Sequence, residues 1–492
     1  DEDEGRGECP VCGSKSIFDS AHTVDAIREF AQEVDLVVIC TDPDTEGEKI
    51  GWDLATLLSP YVNDIRRAEF HEVTKRAVIN ALNNLRSMDV RLVEAQIVRR
   101  IEDRWIGFGL SRKLWEKFDM KTLSAGRVQT PVLGWIIERY RKHLDSIKRV
   151  YFVRLENGLI IMLDNVEEKG RKPREVKNEL KGYKAIISKL EEREETLNPP
   201  PPYSTDSMLR EATQRLRVGV DTVMRIAQDL FELGLITYHR TDSTRVSLTG
   251  RNIAKEYITE TFGKEYFVGR EWMKEGAHEC IRPTRPIDAE RLMALIREGI
   301  IRPVRPLTRR HFVLYDMIFR RFMASQMIPS RVIRAKYRVT IGPYSKDIEG
   351  YSRIIKEGFM KVYRTIRLLE GLEEGEYEIY EVRYRKLATT PLYTQADIIR
   401  LMKERNIGRP STYAKIVRTL LDRRYVIETK NRKLVPTSRG IEVYKFLMKH
   451  YAHLVSEERT RVVEEKMRAI EEGRENYMKV LQEFYEEIQR TL

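Results

Sequence analysis

Four consecutive prolines, Pro199 to Pro202, divide this chain more sharply than any other feature. Proline fixes φ and lacks an amide hydrogen, so the run cannot enter a helix or the interior of a sheet and stands as a stiff extended hinge. Before it, Tyr151-Phe152-Val153-Arg154-Leu155 and Leu159-Ile160-Ile161-Met162-Leu163 are rich in β-branched and aromatic residues. Residues 337–382 return to that character, which predicts a β-rich region that the chain leaves at the prolines and later re-enters.

An internal repeat lies beyond the hinge. Pro202-Tyr203-Ser204-Thr205 opens a helix, Gly219 turns, a second helix starts near Asp221, and Leu235 to Tyr238 follows as a strand. Tyr393-Thr394 opens another helix, Gly408 turns, a second starts near Thr412, and Tyr425 to Glu428 follows as a strand. Both copies have the helix-turn-helix-strand order of winged-helix-like modules, a common nucleic-acid scaffold. Aligning Leu230 with Leu420 puts Glu428 opposite Tyr238, so only the first copy carries the tyrosine.

With 492 residues the chain exceeds a single core, and several domains are expected. Lys and Arg total 88 against 76 acidic residues, a net charge of +12, which favours a polyanionic partner. The 33% charged fraction fits either the surface ion-pair networks of a hyperthermophile or ordinary solvated helix faces. No apolar run approaches membrane-spanning length, and the acidic start Asp1-Glu2-Asp3-Glu4 is unlike a signal peptide. The expectation is a cytoplasmic protein without a membrane partner.

Two constellations carry chemistry. In Leu235-Ile236-Thr237-Tyr238-His239-Arg240-Thr241-Asp242, a strand would project the Tyr238 phenol and the Arg240 guanidinium from one face. A phenol titrates near 10 and needs nearby cations to act as a nucleophile, and an arginine fork holds a phosphodiester at two points. The second constellation begins with Asp35 to Cys40, which reads as a fully buried parallel strand running into Thr41-Asp42-Pro43-Asp44-Thr45-Glu46-Gly47-Glu48. Ligands of open α/β sheets gather at strand carboxyl ends, so Asp42, Asp44 and Glu46 form a candidate magnesium site at the start of a helix over about 46–61. Arg66 to Val73 reads as the next strand, and residues 74–148 as helical. There Val93, Ile97, Ile101 and Trp105 make a packing stripe, and Gln96, Arg100 and Arg104 a polar one whose arginines reach successive phosphates of one strand. Cys9-Pro10-Val11-Cys12-Gly13 has zinc-knuckle spacing but supplies half of a four-ligand site, and His22 is either a third ligand or a helix cap. Cys40 and Cys280 read as packed thiols. Leu314 to Phe322 reads as a basic amphipathic helix, and the charged stretch from Glu457 to Leu492 holds no readable motif.

The motifs resemble those of a known family. Asp42-x-Asp44-x-Glu46-Gly47 is similar to the acidic signature of Toprim domains. Gly234-Leu235-Ile236-Thr237-Tyr238-x-Arg240-Thr241-Asp242-Ser243 is similar to the nucleophile segment of type IA DNA topoisomerases. Further matches follow in order at Leu123 to Thr130, Ala277 to Thr284, Ile407 to Ala414 and Pro436 to Gly440. The variant Asp42-Pro43-Asp44-Thr45-Glu46-Gly47-Glu48-Lys49-Ile50 after a cysteine knuckle is most similar to the topoisomerase half of the reverse gyrases. The resemblance implies an α+β multidomain torus: a partial Toprim domain with half a zinc knuckle over 1–75, a helical domain over 76–149 and 391–492, a β-rich gate over 150–202 and 336–390, and a winged-helix-like domain with the nucleophile over 203–335. It implies a 5′-phosphotyrosine link through Tyr238, with Arg240 and His278 stabilising the transition state and magnesium at Asp42, Asp44 and Glu46. DNA contacts are expected from Arg127, Arg100, Arg104, Arg282, Arg409, Ser411 and Thr412. Single-stranded DNA and supercoiled duplex DNA are the expected substrates.

One departure stands out. The family's first Toprim strand, with a catalytic glutamate and a lysine, has no counterpart in this sequence, so an upstream segment or a separate polypeptide is expected to supply it together with the second cysteine pair for zinc. No Gly-x-x-x-x-Gly-Lys-Ser/Thr loop occurs either, so ATP enters only through a helicase-like ATPase domain or subunit, which would make positive supercoiling ATP-dependent. Readings of other classes are a relaxing type IA enzyme, a Toprim nuclease or primase that dispenses with Tyr238, and a non-catalytic DNA-binding subunit.

Overall fold

The structure, a computed structural model, describes residues 6–7, 17–18, 21–168, 170–273 and 278–491, so the Cys9 and Cys12 knuckle lies outside the described residues. Two compact units are present: Asp1–Arg127 with Tyr451–Leu492, and Val128–His450. The helical pieces expected at 76–149 and 391–492 are therefore each divided between the units. Both are cut where the chain leaves one core for the other.

In the first unit, Leu36–Ile39 and Asp64–Arg67 pair in parallel, joined through the helix Thr45–Leu58. The second strand thus starts and ends earlier than the sequence suggested. Ala31, Leu58 and Val62 pack with Val37 and Ile65 on one side of this pair. The expected fully buried strand is buried only at Ile39, while Leu36 is 41% exposed, since among the described residues this sheet has two strands. The long helix Val90–Phe118 is capped by the Asp89 carboxylate, which accepts from the Arg91 and Leu92 amides. Its Ala95 and Val98 pack against Val463, Met467, Ile470, Val480 and Phe484. Hence the helices Glu457–Glu471 and Tyr477–Gln489, silent as motifs, are its packing partners. The expected stripe is out of phase: Ile97, Ile101 and Trp105 are only half-buried, whereas Val98, Glu102, Ile106 and Leu110 face inward. Two charged residues on that inner face, Arg99 and Glu102, hide the true period.

The second unit is built on a six-stranded antiparallel sheet in the spatial order Ile160–Leu163, Ile147–Leu155, Gly375–Ala388, Lys184–Leu197, Ser330–Ile341, Tyr344–Lys356. Its core face, with Tyr151, Val153, Ile161, Val339 and Val382, is covered by Val176 and Leu180 of the helix Pro173–Gly182. The four prolines lie in extended chain between Lys184–Leu197 and Tyr203, which bridges to Ile281. The chain re-enters the sheet at Ser330, earlier than 336.

The repeated module is present twice. Thr205–Leu216 and Val220–Glu232 form the first helix pair, Gln395–Glu404 and Tyr413–Asp422 the second. Each turn uses a left-handed residue, Arg217 at φ 53° and Asn406 at φ 55°. The second copy closes with its own hairpin, Val426–Glu428 against Leu434–Pro436. In the first, the expected strand Leu235 to Tyr238 is reduced to a bridge between Ile236 and Pro283. The copies are fastened together: Val220 N donates to Gln395 Oε1 at 3.0 Å, Lys403 Nζ meets Asp206 at 2.6 Å and Arg418 meets Asp221 at 2.7 Å.

Gly440 offers a test of how tightly this unit is packed. In the helix Ser438–His450, alanine would ordinarily be favoured over glycine by about 1 kcal/mol. A Cβ there, however, would lie 2.2 Å from the Tyr425 carbonyl oxygen. Gly440→Ala is therefore expected to lower the melting temperature, measured by calorimetry, against its helix propensity.

Candidate functional site

The tyrosine segment is held from both sides by hydroxyls. The helix Val220–Glu232 ends at Leu233, Gly234 turns at φ 66°, and the chain then runs between two anchors. Thr237 Oγ1 donates to Cys280 O at 2.7 Å and accepts from the Arg282 amide at 2.9 Å, while the Thr237 amide donates to Arg282 O at 2.9 Å. Thr205 Oγ1 donates to His239 O at 2.7 Å and accepts from the Thr241 amide at 2.8 Å. Because this path is not a strand, Tyr238 and Arg240 do not share an open face. Tyr238 is 2% exposed, with its ring edge-on to Phe231 at 5.2 Å, whereas Arg240 is half-buried and reaches Gln228 Oε1 at 3.5 Å.

The structure brings His278 to this tyrosine, with ring centroids 6.4 Å apart. His239 packs on the other side at 5.7 Å. Burial, and after it the charge of Arg240, hold the His239 imidazole at a pKa of about 3, so it is neutral. Neither of its ring nitrogens has a hydrogen-bond partner among the described residues.

Arg282, expected on phosphate, is instead almost fully buried and forks onto Glu279 at 2.6 and 2.8 Å. Burial raises the Glu279 pKa, but Arg282 and the amide and hydroxyl of Ser247 outweigh it and leave the carboxyl below its ordinary value. A Cβ on Gly250 would meet Arg282 Nε at 2.8 Å, so glycine there gives the guanidinium its room.

At the acidic loop the structure separates what the spacing suggested would converge. Asp44 is the N-cap of Thr45–Leu58, its Oδ1 accepting from the Gly47 amide at 2.7 Å. Glu46 is exposed on the first turn and Asp42 is half-buried. Among the described residues no three His, Cys, Asp or Glu side chains gather as a metal-binding group. Gly47 is required by proximity, because a Cβ there would lie 2.0 Å from the Asp42 carbonyl oxygen.

That loop is fixed by residues outside the candidate set, Arg67, Glu48 and Arg86. Arg67, fully buried, donates to the carbonyls of Asp42 at 2.8 Å, Ala68 at 3.0 Å and Ile39 at 3.2 Å. Its charge faces Glu48 at 3.3 Å, and Arg86 forks onto the same carboxylate at 2.7 and 2.9 Å. The Asp89 amide also donates to Glu48, at 2.6 Å. Burial pushes the Glu48 pKa up, yet Arg86, the Asp89 amide and Arg67 together hold it below the usual value. An Asp-x-Asp-x-Glu-Gly-Glu run whose last acid falls on the helix's inward face is the signal that marks Glu48.

The remaining candidates divide in two. Arg100 and Arg104 are exposed on Val90–Phe118, as their stripe suggested, and Arg104 stacks over Phe108 at 5.2 Å. Arg127, by contrast, is out of water and faces Asp103 at 3.1 Å and Glu102 at 3.4 Å, with Thr460 O at 3.4 Å. Arg459 meets Glu102 from the other side at 3.0 Å, and burial lifts the Glu102 pKa to about 7 against the pull of both arginines. Arg127 thus joins helices in the first unit instead of facing an open groove. In the second module Thr412 Oγ1 accepts from the Arg409 amide at 2.9 Å, and Arg409, Ser411 and Thr412 are all half-buried in that turn.

Comparison with known proteins agrees with the motif order. The DNA topoisomerase family profile matches residues 87–482, and the Toprim domain profile matches residues 10–73. The chain is 53% identical over 492 residues to a reverse gyrase of Pyrococcus furiosus, covering 99% of this chain and 39% of that protein. It is 50% identical over 473 residues to a reverse gyrase of Pyrobaculum aerophilum, covering 95% and 38%. The chain thus spans about two fifths of the length of these relatives. The crystal structure of full-length topoisomerase I from Thermotoga maritima superposes with a TM-score of 0.76 at 31% identity, covering 96% of this chain and 80% of that one.

Glu48→Gln tests the buried network. Removing one partner of a buried ion pair typically costs about 3–5 kcal/mol, so denaturant unfolding at neutral pH should show a loss of that order. Because the folded pKa of Glu48 lies below the ordinary 4.5, its stabilisation is present above that value and is lost as pH falls through the folded one. Wild type and variant are expected to converge in acid. A gap that persists there would assign the loss to packing.

Proposed function

The chain belongs to the type IA DNA topoisomerase family, and on that footing we propose that it cleaves one strand of DNA with Tyr238, lets a strand pass and reseals the break. The observation that carries this reading is the tyrosine segment, fixed by Thr205 and Thr237 with His278 and Arg240 beside it. Tyr238 Oη attacks a backbone phosphorus, a phosphotyrosine bond forms on the 5′ side, and the 3′ oxygen leaves and takes up a proton as a hydroxyl. The reverse step restores the phosphodiester, and because bond energy is conserved in the link no cofactor drives resealing. Arg240 and His278 would stabilise charge on the phosphoryl oxygens once the substrate is bound.

Asp42 and Asp44 offer hard carboxylate oxygens at a strand's carboxyl end, and magnesium characteristically takes one or two such ligands together with waters and substrate phosphates. The two aspartates fit that regime better than a three-carboxylate cage. Glu46 would contribute from the exposed helix turn. Bound there, magnesium would supply positive charge for the phosphates at the 3′ end. Arg67 and Gly47 meanwhile hold the backbone that carries both aspartates.

Contacts to single-stranded DNA are proposed for exposed Arg100 and Arg104 in the first unit and, separately, for Arg409, Ser411 and Thr412 in the second, with Arg127 and Arg282 each supporting its own unit from within. For the longer protein of which the relatives are examples, we propose positive supercoiling of duplex DNA together with a helicase-like ATPase part, and a zinc site completed around Cys9 and Cys12. No described helix is long and apolar enough to cross a membrane, and a cytoplasmic setting is part of this proposal.

Tyr238→Phe removes only the attacking oxygen. It should abolish covalent adducts with a labelled oligonucleotide on denaturing gels while single-strand affinity stays within about twofold, as for loss of a contact made only during reaction. An adduct that survives the substitution would place the nucleophile elsewhere, and strand cleavage with no adduct in either protein would favour the Toprim nuclease reading.

Replacing Asp42 and Asp44 together by Ala should slow religation and plasmid relaxation by about a hundredfold, the scale of one transition-state charge contact, with noncovalent DNA affinity little changed. Normal relaxation at low magnesium would remove the aspartates from the metal's role.

A further inference from the structure

The segment joining the helices Ala289–Arg297 and Arg309–Ser325 takes no part in the chemistry above, yet its composition is extreme. Residues 291–310 contain Arg291, Arg297, Arg302, Arg305, Arg309 and Arg310 against one acid, Glu298, in a chain whose basic and acidic totals are 88 and 76. Gly299 turns at φ 73°, after which Pro303 and Pro306 keep residues 300–306 out of helix and strand. Val304 is 91% exposed and Ile300 67% exposed, so apolar side chains project among the cations. An exposed apolar tip amid arginines has no stabilising role in the protein alone.

The base of this arm is fixed. Arg305 pairs with Asp229 at 3.0 Å and Glu232 at 3.1 Å, and His311 Nε2 meets Asp229 at 3.1 Å. Both acids lie on Val220–Glu232, the helix that leads to Tyr238. Arg302 is steadied through Nε on Gly299 O at 3.1 Å. Arg302, Arg309 and Arg310 are exposed beyond that base. Arg309 and Arg310 also occupy the first turn of their helix, where the dipole disfavours cations. Their charge is placed for something outside the chain.

The occupant can be specified further. Residues 289–310 contain no Phe, Tyr or Trp, so unpaired bases would find no ring to stack on. An arginine-rich segment that presents the aliphatic side chains of Ile300 and Val304 matches the chemistry of duplex minor-groove contacts, in which cations hold phosphates and an apolar wedge enters between base steps. We infer that residues 299–310 form a docking arm for double-stranded DNA, with Arg302, Arg309 and Arg310 on phosphates and Val304 in the minor groove. The inference rests on the reading that this protein acts on DNA. It adds a duplex site anchored to the nucleophile's own helix and distinct from the single-strand grip.

The test uses the intact protein with Arg302→Gln, Arg309→Gln and Arg310→Gln combined, and separately Val304→Ser. Anisotropy titrations compare a blunt duplex with a single-stranded oligonucleotide across a salt series. The triple variant should lose roughly tenfold or more in duplex affinity at low salt, and its log K against log salt slope should shrink by roughly 2–3, close to one per phosphate contact. Val304→Ser should weaken duplex binding several-fold with the slope unchanged. Single-strand affinity and Tyr238 adduct formation should match wild type in both, and thermal unfolding should not fall, since these side chains are exposed. Unchanged duplex affinity and slope in the triple variant would overturn the arm. An equal loss on single strands would overturn its duplex specificity, and competition by polyglutamate as effective as by duplex would reassign the surface to an acidic protein. Failure of the wild type to form any adduct would instead sink the strand-cleavage reading, leaving the duplex titrations to judge the arm alone.

Discussion

A guanidinium taken out of water must be given carboxylates and carbonyls, and the loops that carry this protein's motifs are built around that requirement. Arg67, Arg127 and Arg282 are among the largest side chains wholly removed from solvent. Each stands behind a motif. Arg67 holds the Asp42 carbonyl and faces Glu48, so the acidic loop is tied to the neighbouring strand. Arg127 holds the Leu123 to Thr130 loop on Glu102 and Asp103. Arg282 clasps Glu279, and the backbone of Arg282 pairs with Thr237 one residue before the tyrosine. A planar fork with five donors can satisfy several acceptors at once, which a lysine could not do in the same space. The motif loops are thereby positioned by partners buried beneath them.

That logic also explains which residues sequence reading misassigned. An arginine in a motif looks like a phosphate ligand, and nothing in its spacing says whether a carboxylate has already claimed it. Arg127 and Arg282 were legible as important and illegible as buried, because Glu102 and Glu279 become their partners only through folding. The phase error on Val90–Phe118 has the same origin. With Arg99 and Glu102 on the inner face, the apolar residues that remain visible mark the wrong stripe. What was legible depended on local chemistry alone: the proline hinge, the repeated helix pairs, the acidic run at a strand-to-helix junction, and the paired β segments on either side of the nucleophile's domain. The shared face expected for Tyr238 and Arg240 depends on a strand, where Thr205 and Thr237 impose a different path.

The hinge itself is more than stiff. Arg321 donates to Pro201 O at 2.7 Å and lies over the rings of Tyr203 at 5.1 Å and Tyr363 at 5.2 Å. Both phenols donate to Glu211, from Tyr203 at 2.5 Å. The last proline therefore delivers the chain into a fixed cation–π and carboxylate cluster on the helix Thr205–Leu216. Since Thr205 of that helix bonds His239 O and the Thr241 amide, the anchor of the hinge and the anchor of the tyrosine lie on one helix.

In the proposed role of nucleophile, Tyr238 at 2% exposed would reach a phosphate only after a movement that uncovers it. Melting the tyrosine segment would break the threonine bonds and leave the Cys280 carbonyl and the Arg282 backbone without those partners, at a cost of about 1–3 kcal/mol for each buried group left unsatisfied. Moving the segment as a body with its two helices and residues 278–284 preserves all of those contacts. The proline run resists bending, and its far end is held by Arg321, so such motion is transmitted to the sheet side of the hinge and not absorbed within it. Rigid-body displacement is thus the less costly route to an accessible Tyr238. The same anchoring that keeps the tyrosine covered at rest is what lets its geometry survive when the site opens.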